Sequence, residues 1–173
     1  DVLSQKANDF IQRAADDAVP FFIYIAPFAP HTPATPAFRH LDLFPLLSVP
    51  ITPSFNEADV SDKPGDLRTN PLLTDYQILQ INDRYRQRIL SLQAVDEMLA
   101  GLIKTLEKTG QLENTYIVFT SDNGYHFGQH RLFEGKGTLY EEDITVPFIV
   151  RGPGIPEGQS LAGLLAGNVD IAS

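Results

Sequence analysis

The chain has 173 residues, 43% of them hydrophobic, and this length and composition suit one globular domain or part of one. Thirteen Lys and Arg residues against 22 Asp and Glu residues give a formal net charge of −9, which argues against general nucleic-acid binding. The absence of Cys excludes disulfides, thiolate metal sites and a Cys nucleophile within these residues, and no apolar run approaches the roughly 20 residues of a membrane span.

The N-terminal part of the sequence predicts a helix followed by a buried strand. Apolar residues recur at helical spacing over about 3–17, which indicates an amphipathic helix. The run FFIYIA at 21–26 is rich in β-forming residues and suits a strand buried on both faces. It ends in the proline-rich loop PFAPHTPATP. The first residue is not Met, and we expect the chain to be a segment of a longer protein.

The middle of the sequence predicts an irregular segment and then a long helix. Residues 40–74 contain five prolines and little periodicity, and such a long irregular segment is usually functional. Thr74 and Gln77 have the spacing of a capping box. An apolar stripe then continues at helical spacing for about 35 residues, with Gly110 as a natural C-cap.

The last part of the sequence predicts two more strands. TYIVFTS at 115–121 suits a buried strand, and TVPFIVRGPG suits a third strand and a turn. A strand, a helix and a strand in this order form a crossover that places the two strands parallel. We therefore expect an α/β fold with a mostly parallel sheet and helices on both faces.

Polar residues gather after two of the predicted strands, at the sheet edge where α/β proteins bind ligands. Asp122 and Asn123 carry oxygen ligands that suit Ca²⁺ or Mg²⁺, although Asn-Gly is also a common turn dipeptide. Gly124 allows a sharp turn or a positive φ. His31, held between flanking prolines, suits a substrate contact or a proton donor, or else is a loop histidine bonded to the backbone.

More polar residues follow the Asn-Gly turn. Lys136 lies between two glycines, which would give an anion access to its ammonium group, but a surface lysine in a turn has the same pattern. His126, His130 and Arg131 add hydrogen-bond donors nearby, or belong to a solvated loop. The acidic run at 141–143 is most simply an exposed face or a helix end.

Taken together, these residues resemble the sulfatase family. The segment FTSDNGYHFGQHRLFEGKGTLYEEDITVPFIVRGPG is similar to the second half of the catalytic domain of type I arylsulfatase-like enzymes, within the alkaline phosphatase superfamily. It most resembles the N-acetylglucosamine-6-sulfatase branch. FFIYIAPFAPHTP resembles the strand and His loop of the family, and NTYIVFTSDNG its later metal-binding strand. The likeness runs through about 20–36 and 85–155, with three blocks in the family's order.

The resemblance implies a calcium-dependent sulfuric ester hydrolase with an alkaline-phosphatase-like fold. It implies that Asp122 and Asn123 are Ca²⁺ ligands. It also implies that His31 and Lys136 are catalytic residues, which contact the sulfate and the ester oxygen of the leaving group. The loop beyond the metal ligands would supply substrate-binding residues: His126, His130 and Arg131. The substrate would be a sulfated small molecule or glycan. The usual location of family members implies a secreted, periplasmic or lysosomal protein.

One part of the family pattern is missing from this sequence. The sulfatase nucleophile is a formylglycine made from the first residue of a Cys-x-Pro-Ser-Arg motif or its Ser equivalent. The nearest match, TPSF at 52–55, lacks the Arg. The N-terminal Asp pair of the calcium site is missing too, as are the Lys and His that follow the nucleophile. We therefore expect residues 1–173 to be part of a sulfatase catalytic domain, with formylglycine upstream, and to be inactive alone.

Two other functions are compatible with these residues. A phosphodiesterase or phosphonate hydrolase of the same superfamily would keep the fold and use an unmodified Thr or Ser upstream. A non-catalytic pseudo-sulfatase domain would have no need to keep Asp122, His31 and Lys136 together, and their joint presence argues against it.

Overall fold

The computed structural model of the chain describes residues 1–163 and 166–172. In chain order, its helices and strands are α1 (Val2–Asp16), α2 (Gly65–Arg68), α3 (Asp75–Lys108), β1 (Ile117–Thr120), α4 (Glu141–Ile144) and β2 (Phe148–Arg151). Short 3₁₀ helices lie at Phe38–His40, Leu112–Asn114 and Asn168–Ala172. Within the described ranges, no helix combines the length and apolar character that crossing a membrane requires.

Helix α3 is the longest element, and its predicted ends are confirmed. The Gln77 amide donates to the Thr74 hydroxyl at 3.3 Å, and the Thr74 amide donates to the Gln77 side-chain oxygen at 2.9 Å, so the capping box is formed. The helix then continues for 34 residues without a break. Just beyond its C-cap, Gly110 has a φ of +69°, a left-handed conformation that glycine adopts easily.

The main core forms where α1 packs against the C-terminal half of α3. Ala7 and Ile11 of α1 are buried together with Leu102 and Leu106 of α3. The Thr105 hydroxyl also donates to the Asn8 side-chain oxygen at 2.6 Å across this interface. The amphipathic helix predicted over 3–17 is therefore confirmed, and its apolar face is the one that packs on α3.

Residues 21–26 are extended but belong to no sheet in the described part of the chain. One set of alternate side chains packs on the helical core: Phe21, Ile23 and Ile25. The opposite set is open, since Phe22 is 85% and Tyr24 82% exposed. The expectation of burial on both faces is therefore not confirmed, because nothing among the described residues covers the second face.

Strands β1 and β2 form a two-stranded antiparallel sheet, with Ile117 opposite Arg151 and Thr120 opposite Phe148. Strand β2 confirms the third strand predicted in TVPFIVRGPG. The mostly parallel sheet is not confirmed, because the only sheet of the described ranges is this antiparallel pair. Residues 21–26, the expected parallel strand, have no ladder partner there. The structure is a partial α/β domain.

The irregular segment after the His31 loop is tied to α3 by backbone polar groups. The Val49 amide donates to the Asn82 side-chain oxygen at 2.9 Å. Arg86 donates to three carbonyl oxygens at 2.8–2.9 Å, those of Leu41, Leu43 and Phe44. The proline-rich stretch of 40–74 therefore needs little regular structure of its own, because side chains of α3 satisfy part of its backbone.

Loss of the α3 capping box should destabilise the fold. In Thr74→Ala the hydroxyl that accepts from the Gln77 amide is gone, and we expect the free energy of unfolding to fall by about 1 kcal/mol. Urea denaturation followed by circular dichroism measures this. Thr35→Ala, at an exposed loop position, is the matched control. Equal stability of Thr74→Ala and Thr35→Ala would contradict a stabilising role for the cap.

Candidate active site

Asp122 and Asn123 lie in a turn directly after β1. The Ser121 hydroxyl donates to the Asn123 carbonyl at 2.9 Å. The Asn168 side-chain amide donates to the carbonyl oxygens of Ser121 and Asp122, at 3.1 and 3.4 Å. These bonds hold the backbone of the turn, while the Asp122 side chain is exposed and its carboxylate can reach a ligand.

Lys136 contacts this turn directly. Its Nζ donates to Oδ1 of Asn123 at 3.0 Å. The Asn123 Nδ2 donates to the Gly124 carbonyl at 2.7 Å, which orients the amide so that its oxygen is the atom that meets the ammonium. The structure therefore brings together three of the predicted site residues: Asp122, Asn123 and Lys136.

Gly124 is required at the turn by close packing. The sequence suggested a sharp turn or a positive φ, but the φ of Gly124 is not in the left-handed region. A Cβ at this position would instead overlap the carbonyl oxygen of Glu142 and lie 2.9 Å from that of Thr145. The Gly124 amide donates to the Asp143 carbonyl at 2.8 Å. Helix α4 therefore packs directly on the turn.

His126 is buried and holds the segment that carries Lys136. Its Nδ1 lies 2.9 Å from Oδ1 of Asp143. The other Asp143 oxygen accepts from the Thr138 amide at 2.8 Å and the Thr138 hydroxyl at 2.7 Å. The backbones of His126 and Gly135 exchange hydrogen bonds of 2.9 and 3.1 Å. Lys136 thus follows a residue that is fixed against His126.

The carboxylate of Asp143 has an environment that the sequence did not indicate. The acidic run at 141–143 was expected to be exposed, but Asp143 is only 4% exposed. Burial would raise the pKa of Asp143, but hydrogen bonds from the Thr138 hydroxyl and amide and from His126 outweigh it and lower that pKa below its ordinary value. Asp143 is therefore a charged anchor beneath the site.

His130 and Arg131 also bond to other parts of the chain. The Nδ1 of His130 lies 2.8 Å from Glu57 Oε1, and its ring stacks on Tyr140 with centroids 3.8 Å apart. Arg131 donates to three carbonyl oxygens at 2.7–2.9 Å, those of Glu57, Ala58 and Asn70. The structure does not bring these two residues to the Asp122 turn, and substrate binding by them and by His126 stays a prediction.

His31 is exposed at the end of the extended segment. Its Nδ1 donates to the Thr32 carbonyl at 2.9 Å, so Nε2 is the nitrogen that remains to exchange a proton with a ligand. A cavity of about 270 Å³ lies beside the ring and is lined by Phe28, Pro33 and Ser91, among others. The histidine therefore has a defined tautomer and space next to it.

Arg88 of α3 joins the His31 loop to the chain that follows the Asp122 turn. It donates to the Pro30 carbonyl and to the Thr32 hydroxyl, both at 2.9 Å. Its guanidinium also lies 3.9 Å from the centroid of the Tyr125 ring. Sequence reasoning missed this residue. The only available signal was the cationic stretch DRYRQR in an otherwise acidic chain.

The donor atoms of the turn fit a hard divalent cation. Asp122 and Asn123 offer one carboxylate and one amide oxygen, and Ca²⁺ takes six to eight oxygen ligands. In the ranges that the structure describes, no group of three or more His, Cys, Asp or Glu residues could hold a metal ion. The turn can therefore supply part of a calcium site, and further ligands would have to come from elsewhere.

Comparison with known proteins places the chain in one family. The Sulfatase family model matches residues 1–172. The chain is 40% identical over 181 residues to the arylsulfatase of Volvox carteri, covering 92% of the chain and 28% of that relative. It is 39% identical over 171 residues to the N-acetylglucosamine-6-sulfatase of Homo sapiens, covering 99% of the chain and 31% of that relative.

A solved structure shows the same fold. BT4656 in complex with its substrate D-glucosamine-2-N,6-O-disulfate superposes with a TM-score of 0.69 at 23% identity, over 88% of this chain and 42% of that one. At this identity the likeness concerns the fold alone. The chain spans about a third of the length of the curated relatives it matches.

The low pKa of Asp143 predicts a pH-dependent contribution to stability. A carboxyl group whose pKa is lower in the folded than in the unfolded state stabilises the fold above its unfolded value, and this contribution is lost as the pH falls through the folded value. We expect the free energy of unfolding of the wild type to fall as the pH drops below about 4. In Asp143→Asn that drop should be smaller, and stability at pH 7 lower.

Urea denaturation between pH 3 and pH 7 measures both effects. Asp9→Asn, at an exposed position of α1, is the matched control and should follow the wild type. A pH profile of Asp143→Asn identical in shape to that of the wild type would show that this carboxylate is not the buried anchor.

Proposed function

The chain belongs to the sulfatase family, and from this premise we propose that it is a segment of the catalytic domain of a calcium-dependent sulfuric ester hydrolase. The observation that supports this most directly is the 3.0 Å contact between Lys136 Nζ and Asn123 Oδ1, next to the Asp122 carboxylate. It gathers an ammonium group and two hard oxygen ligands at one turn. These are groups that bind a cation and an anionic ester side by side.

The nucleophile would come from outside this segment. Residues 1–173 contain no Cys-x-Pro-Ser-Arg motif, so the formylglycine of the family would lie upstream. The described groups can stabilise charge and a leaving group, but they cannot replace the attacking atom. The segment alone would therefore hydrolyse no sulfate ester, and the activity would belong to the full-length protein.

Two residues would serve the metal. Asp122 would provide a charged oxygen ligand and Asn123 a neutral one. The bound Ca²⁺ would supply electrostatic stabilisation of negative charge on the sulfate oxygens. The exposed position of Asp122 and the fixed orientation of the Asn123 amide support this assignment.

Two residues would act on the ester. The Lys136 ammonium would bind a sulfate oxygen and stabilise the charge that builds on it as the ester bond breaks. In its doubly protonated form, His31 would donate a proton or a hydrogen bond to the departing ester oxygen through Nε2, because its Nδ1 is held by the Thr32 carbonyl.

The substrate would be the sulfate ester of a sugar or glycan. One relative is named for 6-sulfated N-acetylglucosamine, and the structural neighbour is bound to a glucosamine disulfate. The loop residues expected to bind substrate would shape its pocket through the segments they hold: His126, His130 and Arg131. Their bonds to Asp143, to Glu57 and to the carbonyls near 57–70 support this indirect contribution.

The missing part of the sheet fits the same proposal. Residues 21–26 and β1 would be strands of a mostly parallel sheet completed by other parts of the catalytic domain. The extended conformation of 21–26 and the open side chains of Phe22 and Tyr24 support this, since a sheet covered on both faces would bury them.

Substitution of the ligands should weaken calcium binding by the full-length protein. We expect Asp122→Ala to lower both calcium affinity and turnover, because it removes a charged oxygen. Asn123→Ala should have a milder effect, because it removes a neutral dipole. Isothermal titration calorimetry with Ca²⁺ measures the affinities. Asp66→Ala, which removes an exposed carboxylate in α2, serves as the control. Wild-type calcium binding by Asp122→Ala would rule out the ligand assignment.

Loss of the ammonium group should reduce turnover. In the full-length protein we expect Lys136→Ala to lower kcat/KM by roughly 10²-fold or more, about 2.7 kcal/mol of transition-state stabilisation. Lys136→Arg should retain only part of the wild-type kcat/KM, because the planar guanidinium of arginine does not replace the compact charge of the lysine ammonium. Sulfate released from a sulfated sugar and from an aryl sulfate is the measurement, with Lys104→Ala on an exposed face of α3 as the control.

Two results would count against the proposed function. If the wild-type full-length protein with Ca²⁺ released no sulfate from either kind of ester, the hydrolase assignment would be wrong. If Lys136→Ala had wild-type kinetics, Lys136 would be an ordinary turn lysine.

A further inference from the structure

We propose that Arg88 is a positioning residue, which fixes the His31 imidazole relative to the turn of Asp122 and Asn123. The catalytic consequence rests on the proposed function. The geometric part rests on the contacts of Arg88 alone. Arg88 lies in the middle of α3, and no pattern in the sequence assigns it a role.

The guanidinium of Arg88 binds both neighbours of His31. Nη1 donates to the carbonyl of Pro30 and Nη2 to the hydroxyl of Thr32, each at 2.9 Å. His31 lies between these two residues, and its own Nδ1 donates to the Thr32 carbonyl. Two bonds from one planar fork fix the orientation of a loop better than two independent contacts, because the donors cannot move relative to each other.

The same guanidinium contacts residues that follow the turn of Asp122 and Asn123. It lies 3.9 Å from the Tyr125 ring centroid and 5.6 Å from that of Phe127, which are cation–π distances. Tyr125 packs against Phe127 with centroids 4.8 Å apart, and it follows Asn123 by two residues. Arg88 therefore connects two loops that are about 90 residues apart in the sequence.

These contacts matter for catalysis because proton transfer depends strongly on geometry. A general acid must lie within hydrogen-bond reach of the leaving oxygen, and a displacement of about 1 Å can cost 10²-fold in rate. Without Arg88, the His31 loop would lose its attachment to the residues that follow the turn of Asp122 and Asn123. The resulting enzyme should resemble one in which His31 works poorly.

The test compares leaving groups in the full-length protein. An aryl sulfate with an acidic leaving group needs little protonation, whereas a sugar 6-sulfate needs much. We expect Arg88→Ala to lower kcat/KM for the sugar sulfate at least tenfold more than for the aryl sulfate. Arg88→Lys should lie between Arg88→Ala and wild type, since it keeps the charge but has a single donor nitrogen in place of the planar fork. It also carries the test if Arg88→Ala does not fold.

Arg86→Ala is the matched control. Arg86 lies on the same helix and also donates to loop carbonyls, but these belong to 41–44 and not to the His31 loop. Arg86→Ala should affect both substrates equally, if at all. The double variant His31→Ala/Arg88→Ala should be no slower than His31→Ala on the sugar sulfate, because both changes remove the same function, that of the His31 imidazole. Equal losses on the two substrates in Arg88→Ala, or additive losses in the double variant, would overturn the proposal.

A second measurement needs no activity. In protein labelled with ¹⁵N-histidine, at a pH high enough to deprotonate the imidazole, the His31 signals should show mainly the tautomer with the proton on Nδ1, the nitrogen that donates to the Thr32 carbonyl. Arg88→Ala should give mixed tautomers, and Arg86→Ala should not. If the wild type hydrolysed no sulfate ester, the proposed function would fail, but this measurement would still decide the positioning role. Unchanged His31 signals in the Arg88 variants would overturn it.

Discussion

One guanidinium group connects the two loops that carry the candidate site residues His31 and Asp122. Arg88 binds the residues on either side of His31 through two hydrogen bonds and lies against Tyr125, just beyond the turn of Asp122 and Asn123. Neither loop has regular secondary structure that could fix it from within. Since loops in compact domains are positioned by the rigid elements beneath them, the geometry of the site is set from α3.

Helix α3 presents its arginines to different loops because of helical spacing. Side chains four residues apart lie on one face, and a residue between them points elsewhere. Arg84 and Arg88 share a face. Arg84 bonds to Glu134 and lies 5.0 Å from the Phe133 ring centroid. These two partners precede Lys136 by two and three residues. Arg86 reaches the 41–44 segment instead. A long, continuous helix with a capped N-terminus therefore sets the relative positions of several loops at once.

Interactions between near neighbours in the sequence could be predicted, and distant ones could not. The capping box at Thr74, the length of α3 and strand β2 follow from residues a few positions apart, and all are confirmed. The antiparallel pairing of β1 with β2 depends on tertiary packing, which strand patterns do not encode. The burial of His126 depends on Asp143, 17 residues away, and the role of Arg88 on partners 56 and 58 residues away.

The charge distribution indicates how an acidic chain could attract an anion. A net charge of −9 repels sulfate at long range, so attraction has to be local. Some of the other cations are neutralised by carboxylates, whereas Arg86 and Arg131 bind backbone carbonyls. Arg39 and His40 both bond to Glu97, and these hydrogen bonds lower the pKa of Glu97 to about 2. Lys136 and Arg88 also bind neutral partners. Lys136 donates to an amide oxygen. Arg88 donates to a carbonyl and a hydroxyl and lies against aromatic rings. Their positive charges remain uncompensated by these partners, beside the turn where an anionic ester would bind.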